Sequence, residues 1–187
     1  MQAKKMDYFT ALYDVARAIN ASLEPSLVLM EIVRSVVSAL HLKAATIRLL
    51  DPRGKRLVMG ASFGLSDKYL RKGPVLIAES GLDQQALAGQ SIWLPDAQRD
   101  ERFQYPEMAK AEGIKSVQVM PLAVAGRVIG VLRVYSATVR AFAGEEIRFL
   151  EAVANLSAMA IDNALMHQKL QTNCDLMTAH KYRIDDN

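Results

Sequence analysis

Two arginines stand inside segments that otherwise have the composition of buried β-strands. Arg48 lies in the run Ala44–Leu50, and Arg133 lies in the run Arg127–Ser136. Burying an unpaired guanidinium is very costly, so each side chain needs an anionic partner. A guanidinium binds carboxylates and phosphates through two parallel hydrogen bonds. These two positions therefore predict a site for a carboxylate or phosphate group of a small ligand.

The arginines also have a structural explanation, which is an internal salt bridge to an acid on the connecting loops. The two hypotheses are compatible, because a loop acid can hold an arginine until a ligand arrives. Both stay open from the sequence. The acids that could serve are Glu79, Asp83, Asp96, Asp100 and Glu112.

The alternation of side chains along a strand predicts the neighbours of Arg48. Thr46 and Leu50 share its face of the first strand. Ile47 and Leu49 form the opposite face, which is apolar and suited to being covered by helices. The face of Arg48 is therefore the one on which we expect a ligand.

The same alternation applies around Arg133. Tyr135, Val131 and Ile129 are predicted to share its face of the second strand. The opposite face is apolar and small enough for close helix packing, with Val128, Gly130, Leu132 and Val134. If the two strands are neighbours at the centre of a sheet, both arginines project to the same side.

Three further residues are candidates for this site. Trp93 lies on a short predicted strand and could stack on a ligand or form part of the core. Gln118 could hydrogen-bond a ligand or be an ordinary polar residue of an edge. Asp96 follows in a loop, where it could contact a ligand, although turn formation and helix capping also explain an aspartate there. The candidate ligand-binding residues are Thr46, Arg48, Trp93, Asp96, Gln118, Arg133 and Tyr135.

The residues that could hold a metal or a haem are few and far apart. The histidines are His41, His167 and His180, and no two of them have the close spacing of a metal site. Cys174 is the only cysteine, which excludes an intrachain disulfide and an all-cysteine metal site. We expect no metal, no haem and no other cofactor.

Length and composition indicate what kind of protein must position these residues. The chain has 187 residues, of which 51% are hydrophobic, enough for one domain with its own core. The net charge of +3 comes from scattered basic residues, which argues against nucleic-acid binding. The longest apolar stretch, around Val119–Ala125, is too short to span a bilayer. We expect a cytoplasmic protein with no nucleic-acid or membrane partner.

Apolar periodicity predicts long helices at both ends of the chain and strands between them. The long helices are predicted from Asp7 to Ala21, from Pro25 to Leu40 and from Gly144 to about Gln171, after which we expect the chain to fray. The strands are predicted over residues 44–50, 55–62, 91–94, 116–124 and 127–136, and short helices within 63–74, 80–89 and 106–112.

Tight turns decide how these strands pair. Asp51–Gly54 and Ala125–Gly126 each join two consecutive strands, which must then be antiparallel. Helices with a single apolar stripe need a sheet face to cover. The pattern therefore predicts an α+β fold with a central antiparallel β-sheet and the terminal helices packed on one face.

Three segments in this order resemble the GAF domain family. They are Leu23–Asp51, Ser91–Phe103 and Val119–Ala164. The resemblance implies a sheet of about six strands, as in GAF and PAS-like domains, and terminal helices that usually dimerise. It also implies a small-molecule pocket under the loops between Phe63 and Gly113.

The resemblance divides the chain into three parts. Residues 1–22 form an N-terminal helix that joins a dimer bundle, residues 23–166 form the GAF domain, and residues 167–187 are the end of the last helix and a polar tail.

Subfamily features limit the ligand further. Tyr135 and Ser136 stand where cyclic-nucleotide binders carry an Asn-Lys pair, which argues against that ligand. Bilin-binding members and GAF-like methionine sulfoxide reductases use pocket cysteines, whereas Cys174 lies in the tail. The resemblance therefore implies neither a covalent chromophore nor a catalytic thiol, and we expect no enzyme activity.

Two functions remain. The first is a small-molecule-sensing regulatory domain in signal transduction, with a small anionic metabolite as ligand and a separate signalling protein as partner. The second is a ligand-free dimerisation or scaffold module with a degenerate pocket. In both, the N- and C-terminal helices form a homodimer. Free arginines in the pocket favour the sensor, and a closed apolar interior favours the scaffold.

Overall fold

The computed structural model describes residues 8–21 and 24–185, and the side chains of residue 169 and of residues 173–185 lie outside this description. The helices are α1 (Tyr8–Ala21), α2 (Pro25–Leu40), α3 (Asp67–Leu70), α4 (Gly81–Leu87), α5 (Pro106–Glu112) and α6 (Gly144–Asp185). The strands are β1 (Ala44–Leu50), β2 (Arg56–Phe63), β3 (Val75–Leu76), β4 (Ile92–Leu94), β5 (Ser116–Val124) and β6 (Arg127–Ser136). Predictions that concern Cys174 and His180 fall outside the described side chains.

The six strands form one sheet in the order β3-β2-β1-β6-β5-β4, and every neighbouring pair is antiparallel. The predicted α+β fold is confirmed, and β1 and β6 are central neighbours as expected. Thr46 lies directly opposite Arg133, and Ala44 lies opposite Tyr135. This register places the candidate residues of the two strands side by side.

The two predicted turns have clear local causes. The Asp51 carboxylate accepts hydrogen bonds from the backbone N–H groups of Lys55 at 2.8 Å and Arg56 at 3.1 Å, which closes the β1–β2 turn. The backbone hydrogen bond from Arg56 lowers the pKa of Asp51, and that from Lys55 adds to the effect. In the β5–β6 turn, Ala125 and Gly126 both have positive φ, at 49° and 76°. That pair of values is typical of the turn that suits the right-handed twist of a hairpin.

One face of the sheet is covered by α1, α2 and α6. The residues that fill this layer, called the helix-side core here, include Ile32 and Val36 from α2, Leu132 from β6, and Leu150 and Val153 from α6. All five are 0% exposed. The terminal helices are therefore part of the main hydrophobic core of the domain.

The other face is covered by α3, α4, α5 and the loops between β2 and β5. A second cluster, called the loop-side core here, includes Leu57, Leu82, Ile114, Val131 and Tyr135. The sheet separates the two cores, and the side chains of β1 and β6 alternate between them. The loop-side core is the part of the fold in which the predicted site lies.

Two details differ from the sequence predictions. Ile129 was expected on the face of Arg133, but Leu122 pairs with Gly130 and Ala123 with Val128, so a β-bulge at Ile129 turns its side chain towards the helix-side core. The last helix does not end near Gln171 but continues to Asp185. The reason is that no proline or glycine follows Gly144 to interrupt it.

Within residues 8–21 and 24–185, no helix combines the length and the apolar character that crossing a bilayer requires.

Candidate functional site

Arg48 and Arg133 lie next to each other on the loop-covered face of the sheet. Arg48 is 5% exposed and Arg133 is 3% exposed. Arg48 pairs with Val131 in the sheet register, two residues from Arg133 on the same face. Gly130 permits the close approach of the strands, because a Cβ there would collide with the backbone carbonyl oxygen of Arg48. Two arginine side chains are therefore buried on the same face of neighbouring strands.

Arg133 has a buried acid as its partner. Its Nη2 donates to Oδ2 of Asp83, which lies in the first turn of α4 and is 0% exposed. Burial is the largest single influence and acts to lower the pKa of Arg133. The charge and the hydrogen bond of Asp83, together with Tyr69 and Tyr135, outweigh it, so the net effect is to raise that pKa. Of the five loop acids that the sequence offered as partners, Asp83 is the one that holds an arginine of this pair.

Arg48 makes no ion pair among the described residues. Its Nη1 lies 3.5 Å from the backbone carbonyl oxygen of Leu57, and its Nε has no hydrogen-bond partner. Burial lowers the pKa of Arg48, which means that the charged form is poorly compensated. A buried guanidinium in this condition is the strongest indication of a missing partner.

A third cation, Lys72, follows α3 and points into the same region. Its Nζ lies 3.8 Å from the ring centroid of Tyr69 and has no hydrogen-bond partner. Burial, with the charges of Arg48 and Arg133 acting in the same direction, lowers the pKa of Lys72 to about 7. Its ammonium group is thus held close to its titration point at neutral pH.

Tyr69 completes the group. It is 1% exposed, and its ring meets that of Tyr135 edge to face with the centroids 6.3 Å apart. Its hydroxyl oxygen has no hydrogen-bond partner, and burial raises the pKa of Tyr69. The neutral hydroxyl remains a hydrogen-bond donor within reach of this region.

These five side chains are called the charged cluster here. Its members are Arg48, Tyr69, Lys72, Asp83 and Arg133. The cluster contains three cationic groups and one carboxylate, so it carries an excess of two positive charges when Lys72 is protonated. Each member has a buried polar atom without a hydrogen-bond partner. Four of the members, Arg48, Tyr69, Lys72 and Arg133, offer donors that can bind an anion with little rearrangement of the sheet, whereas Asp83 is an acceptor only.

The elements that carry the cluster are fixed by local contacts. Ser66 caps α3 by accepting a hydrogen bond from the Tyr69 N–H at 3.2 Å. The Ser66 N–H donates to Glu112 of α5 at 3.0 Å, and the Ser66 hydroxyl donates to the same carboxylate. After α3, the Tyr105 hydroxyl donates to the Pro74 carbonyl oxygen at 2.8 Å. The cover of the cluster is therefore attached at two points.

The sequence profile of the GAF domain matches residues 24–161. The chain belongs to the GAF domain family. No curated protein matches this chain in sequence at a significant level.

Solved structures show the same fold at low sequence identity. The GAF domain of a phosphoenolpyruvate-protein phosphotransferase from Coxiella burnetii is 21% identical, with a TM-score of 0.78 over 89% of this chain and 99% of that one. A domain of a putative two-component sensor histidine kinase from Sinorhizobium meliloti is 22% identical, with a TM-score of 0.64 over 77% of this chain and 94% of that one. The free methionine-R-sulfoxide reductase from Neisseria meningitidis is 17% identical, with a TM-score of 0.72 over 89% and 95%. The same fold thus occurs in signalling proteins and in enzymes, and the fold alone does not assign a ligand.

Four of the seven predicted site residues of this GAF domain lie together. Thr46, Arg48, Arg133 and Tyr135 share the loop-covered face, and the Thr46 hydroxyl lies 3.2 Å from the Tyr135 hydroxyl. That hydrogen bond satisfies both groups within the protein. Arg48 and Arg133 retain unpartnered nitrogen atoms and are the better candidates for ligand contact.

The other three predicted residues are elsewhere in the GAF domain. Trp93 is 43% exposed and donates to the Arg140 carbonyl oxygen at 2.9 Å, so it does not form a wall of the charged cluster. Val117 and Val119 on either side of Gln118 point into the loop-side core, so Gln118 lies on the opposite face of the sheet. Its amide donates to the Ser91 hydroxyl at 2.7 Å. The sheet therefore separates Gln118 from the arginines.

Asp96 has a structural role in the loop after β4. Its carboxylate accepts a hydrogen bond from the Gln98 N–H at 3.0 Å and lies 3.8 Å from Arg99. These contacts agree with turn formation, the simpler of the two explanations that the sequence allowed. The structure does not bring Asp96 to the charged cluster.

Two residues of the cluster, Tyr69 and Lys72, were missed by the sequence reasoning. They lie on a four-residue helix and the turn after it, where no periodic signal indicates which side chains point inward. The capping serine at Ser66 is the signal that could have placed the start of α3 and so the inward face.

Metal ligands are scarce in this GAF domain. No group of three or more His, Cys, Asp or Glu residues among the described ones could hold a metal ion. His41 ends α2 in a left-handed conformation with φ of 49°, and His167 is exposed on α6.

Proposed function

We propose that this GAF domain is a regulatory sensing domain whose ligand is a small anionic metabolite bound at the charged cluster. The observation that carries the proposal is Arg48, a buried guanidinium that makes no ion pair with any residue the structure describes. An uncompensated buried cation destabilises the free protein, and a bound carboxylate or phosphate would remove that cost. The role proposed is regulatory and not catalytic.

Binding would also reorganise the cover of the cluster. Tyr69 and Lys72 come from this cover, and a ligand bound to Arg48 would lie beside them and draw on the unpartnered Nζ of Lys72. Gly73 has a φ of 121°, and its Cα faces the Tyr105 hydroxyl so closely that a Cβ would lie 2.9 Å from it. The turn after Lys72 therefore packs closely against Tyr105, and a shift of Lys72 on binding would act on this contact.

A route from the site to the last helix runs through β6. Arg133 projects from one face of this strand, while Leu132 and Val134 project from the other into the helix-side core. That core also contains Leu150 and Val153 of α6. A ligand that shifts β6 would act directly on the packing of α6, which we propose as the output element towards a signalling partner.

Self-association through the terminal helices is part of the proposal. Tyr13 of α1 is 62% exposed, and Met159, Met166 and Leu170 of α6 are 55%, 55% and 64% exposed. The three α6 residues are spaced by seven and four positions, so they form one stripe along the helix. An exposed apolar stripe of this kind suits a helical bundle between two copies.

The test is a thermal-shift and calorimetric screen of small carboxylates and phosphates on the full chain. We expect at least one anion to raise the midpoint of thermal unfolding, and Arg48→Gln to abolish the shift. Arg127→Gln is the matched control, because Arg127 is exposed on the same sheet and pairs with Asp162 at 2.6 Å. A shift that survives Arg48→Gln would contradict this site.

The scaffold remains the second candidate because one observation favours it. The loop-side core is well filled, with Tyr69, Leu82 and Tyr135 all at most 1% exposed. A domain that dimerises but binds no anion at millimolar concentration would support this alternative against the sensor.

A further inference from the structure

The charge of the site indicates what kind of anion it would take. Resting on the proposed function, we propose that the charged cluster selects doubly charged anions, such as dicarboxylates or phosphate monoesters, over singly charged ones. The cluster has three cations, at Arg48, Lys72 and Arg133, against the single carboxylate of Asp83. A dianion balances this set completely when Lys72 is protonated.

The existing ion pair cannot supply the missing charge. Oδ2 of Asp83 is already engaged with Arg133, and its Oδ1 has no hydrogen-bond partner. Arg48 and Lys72 therefore remain as two cations without an acid of their own. A single negative charge would neutralise one of them and leave the other buried and uncompensated, which is unfavourable in a site of low polarity.

Other charged groups nearby do not change this count. Glu112 acts on Lys72 from α5, but it also accepts from Ser66 and lies 3.8 Å from Lys43. Lys43 and Glu112 thus offset each other. The groups that face Lys72 from the surrounding elements are Arg48, Tyr69, Asp83, Tyr105, Glu112 and Arg133.

Lys72 couples this selectivity to protons. In the free protein, burial and the two arginines hold the pKa of Lys72 at about 7, so part of the population is neutral at pH 7.5. A dianion beside Lys72 would favour its charged form and raise that pKa. Binding of a dianion would therefore be accompanied by uptake of a fraction of a proton by Lys72. A monoanion whose charge is already balanced by Arg48 would cause less proton uptake.

The first test compares ligands of matched shape and different charge at pH 7. Methyl phosphate is compared with methyl sulfate, and succinate with butyrate, by calorimetry on the full chain. We expect each dianion to bind at least about tenfold more tightly than its monoanionic match, because one additional charge-assisted hydrogen bond contributes about that much to the affinity. The two pairs also distinguish a phosphate ligand from a dicarboxylate.

The second test uses Lys72→Met with Lys110→Met as control, since Lys110 is on α5 and exposed. We expect Lys72→Met to reduce the preference for the dianion to less than about threefold while some monoanion binding remains. Succinate binding at pH 7.5, measured in two buffers of different ionisation enthalpy, should show proton uptake in the original chain and none in Lys72→Met.

The outcomes separate the two proposals. If no anion binds, the proposed function is wrong. If mono- and dianions bind with equal affinity and Arg48→Gln abolishes both, the sensing site stands and the selectivity for dianions is wrong. If the dianion preference persists in Lys72→Met, Lys72 is not the group that provides it.

Discussion

Arg133 of β6 and Asp83 of α4 form an ion pair inside the loop-covered half of the domain, with side chains that are 4% and 0% exposed. The pair joins the central sheet to a short helix of the cover. A pair at this depth is stabilising only while both partners are present, because either charge alone would be left in a poorly solvated position.

Asp83→Asn should therefore destabilise the fold strongly. We expect a loss of about 3–5 kcal/mol in the free energy of unfolding, measured by urea denaturation. Asp162→Asn is the control, since it breaks the pair with Arg127, whose side chain is 65% exposed, and should cost less than about 1 kcal/mol. Equal losses in the two variants would show that the buried pair does not form.

Arg48→Met should have the opposite effect on stability. Removing a buried guanidinium without an acid partner should raise the free energy of unfolding by about 1–3 kcal/mol. The same variant should lose its response to anions. Denaturation and the thermal-shift assay on one preparation test both effects, and a destabilised Arg48→Met would mean that Arg48 has a compensating contact in the free protein.

Lys72 should make the stability of the ligand-free protein depend on pH above neutrality. Its pKa is lowered to about 7 in the folded state from an ordinary value of 10.5, so the unfolded chain binds more protons between these two values. Stability should then rise as pH increases through this window and fall as pH returns towards 7. Thermal midpoints at pH 7, 8 and 9 measure this, with Lys72→Met expected to show a smaller rise than the original chain.

Gly130→Ala should weaken the centre of the sheet. A Cβ at Gly130 would collide with the backbone of Arg48 on the neighbouring strand, so we expect a loss of about 2 kcal/mol or more. Gly144→Ala is the control, because a Cβ there has no heavy atom within 4 Å. That control should stay within about 0.5 kcal/mol of the original chain or gain slightly.

The apolar stripe on α6 should control self-association. Met166→Lys combined with Leu170→Lys should convert a homodimer to a monomer in analytical ultracentrifugation, because it places charges in an apolar interface. Gln168→Lys, on the opposite side of the same helix, should leave the dimer intact. A monomeric original chain would refute the dimer proposal directly.

The sequence was informative where a pattern repeats. The period of the apolar residues gave α2 its bounds of Pro25 and Leu40, and the turn at Ala125–Gly126 fixed the β5–β6 hairpin with both strand ranges as observed. Alternation along β1 and β6 placed Arg48 and Arg133 on one face. A strand of two residues, Val75–Leu76, carried no such repeat and was not predicted.

The sequence indicated only part of the charged cluster, for a related reason. Arg48 and Arg133 stand out in the sequence because they interrupt apolar strands. Tyr69 and Lys72 lie in a segment where apolar residues show no regular spacing, so the direction of their side chains depends on tertiary contacts. Trp93 and Gln118 were predicted at the site but lie away from it. Alternation along a strand shows which side chains share a face, but not whether that face is covered by the loops or by the helices. Register between strands, here β4 against β5, decides that question.

The last helix has a mechanical consequence. It contains 42 residues and continues 24 residues past position 161, where the match to the family ends. At about 1.5 Å per residue, this extension is roughly 36 Å long, and its first residues, as far as His167, still line a cavity with Ile19 and Pro25. It can act as a lever: a tilt of about 5° at the sheet would displace the tip by roughly 3 Å, about one hydrogen-bond length.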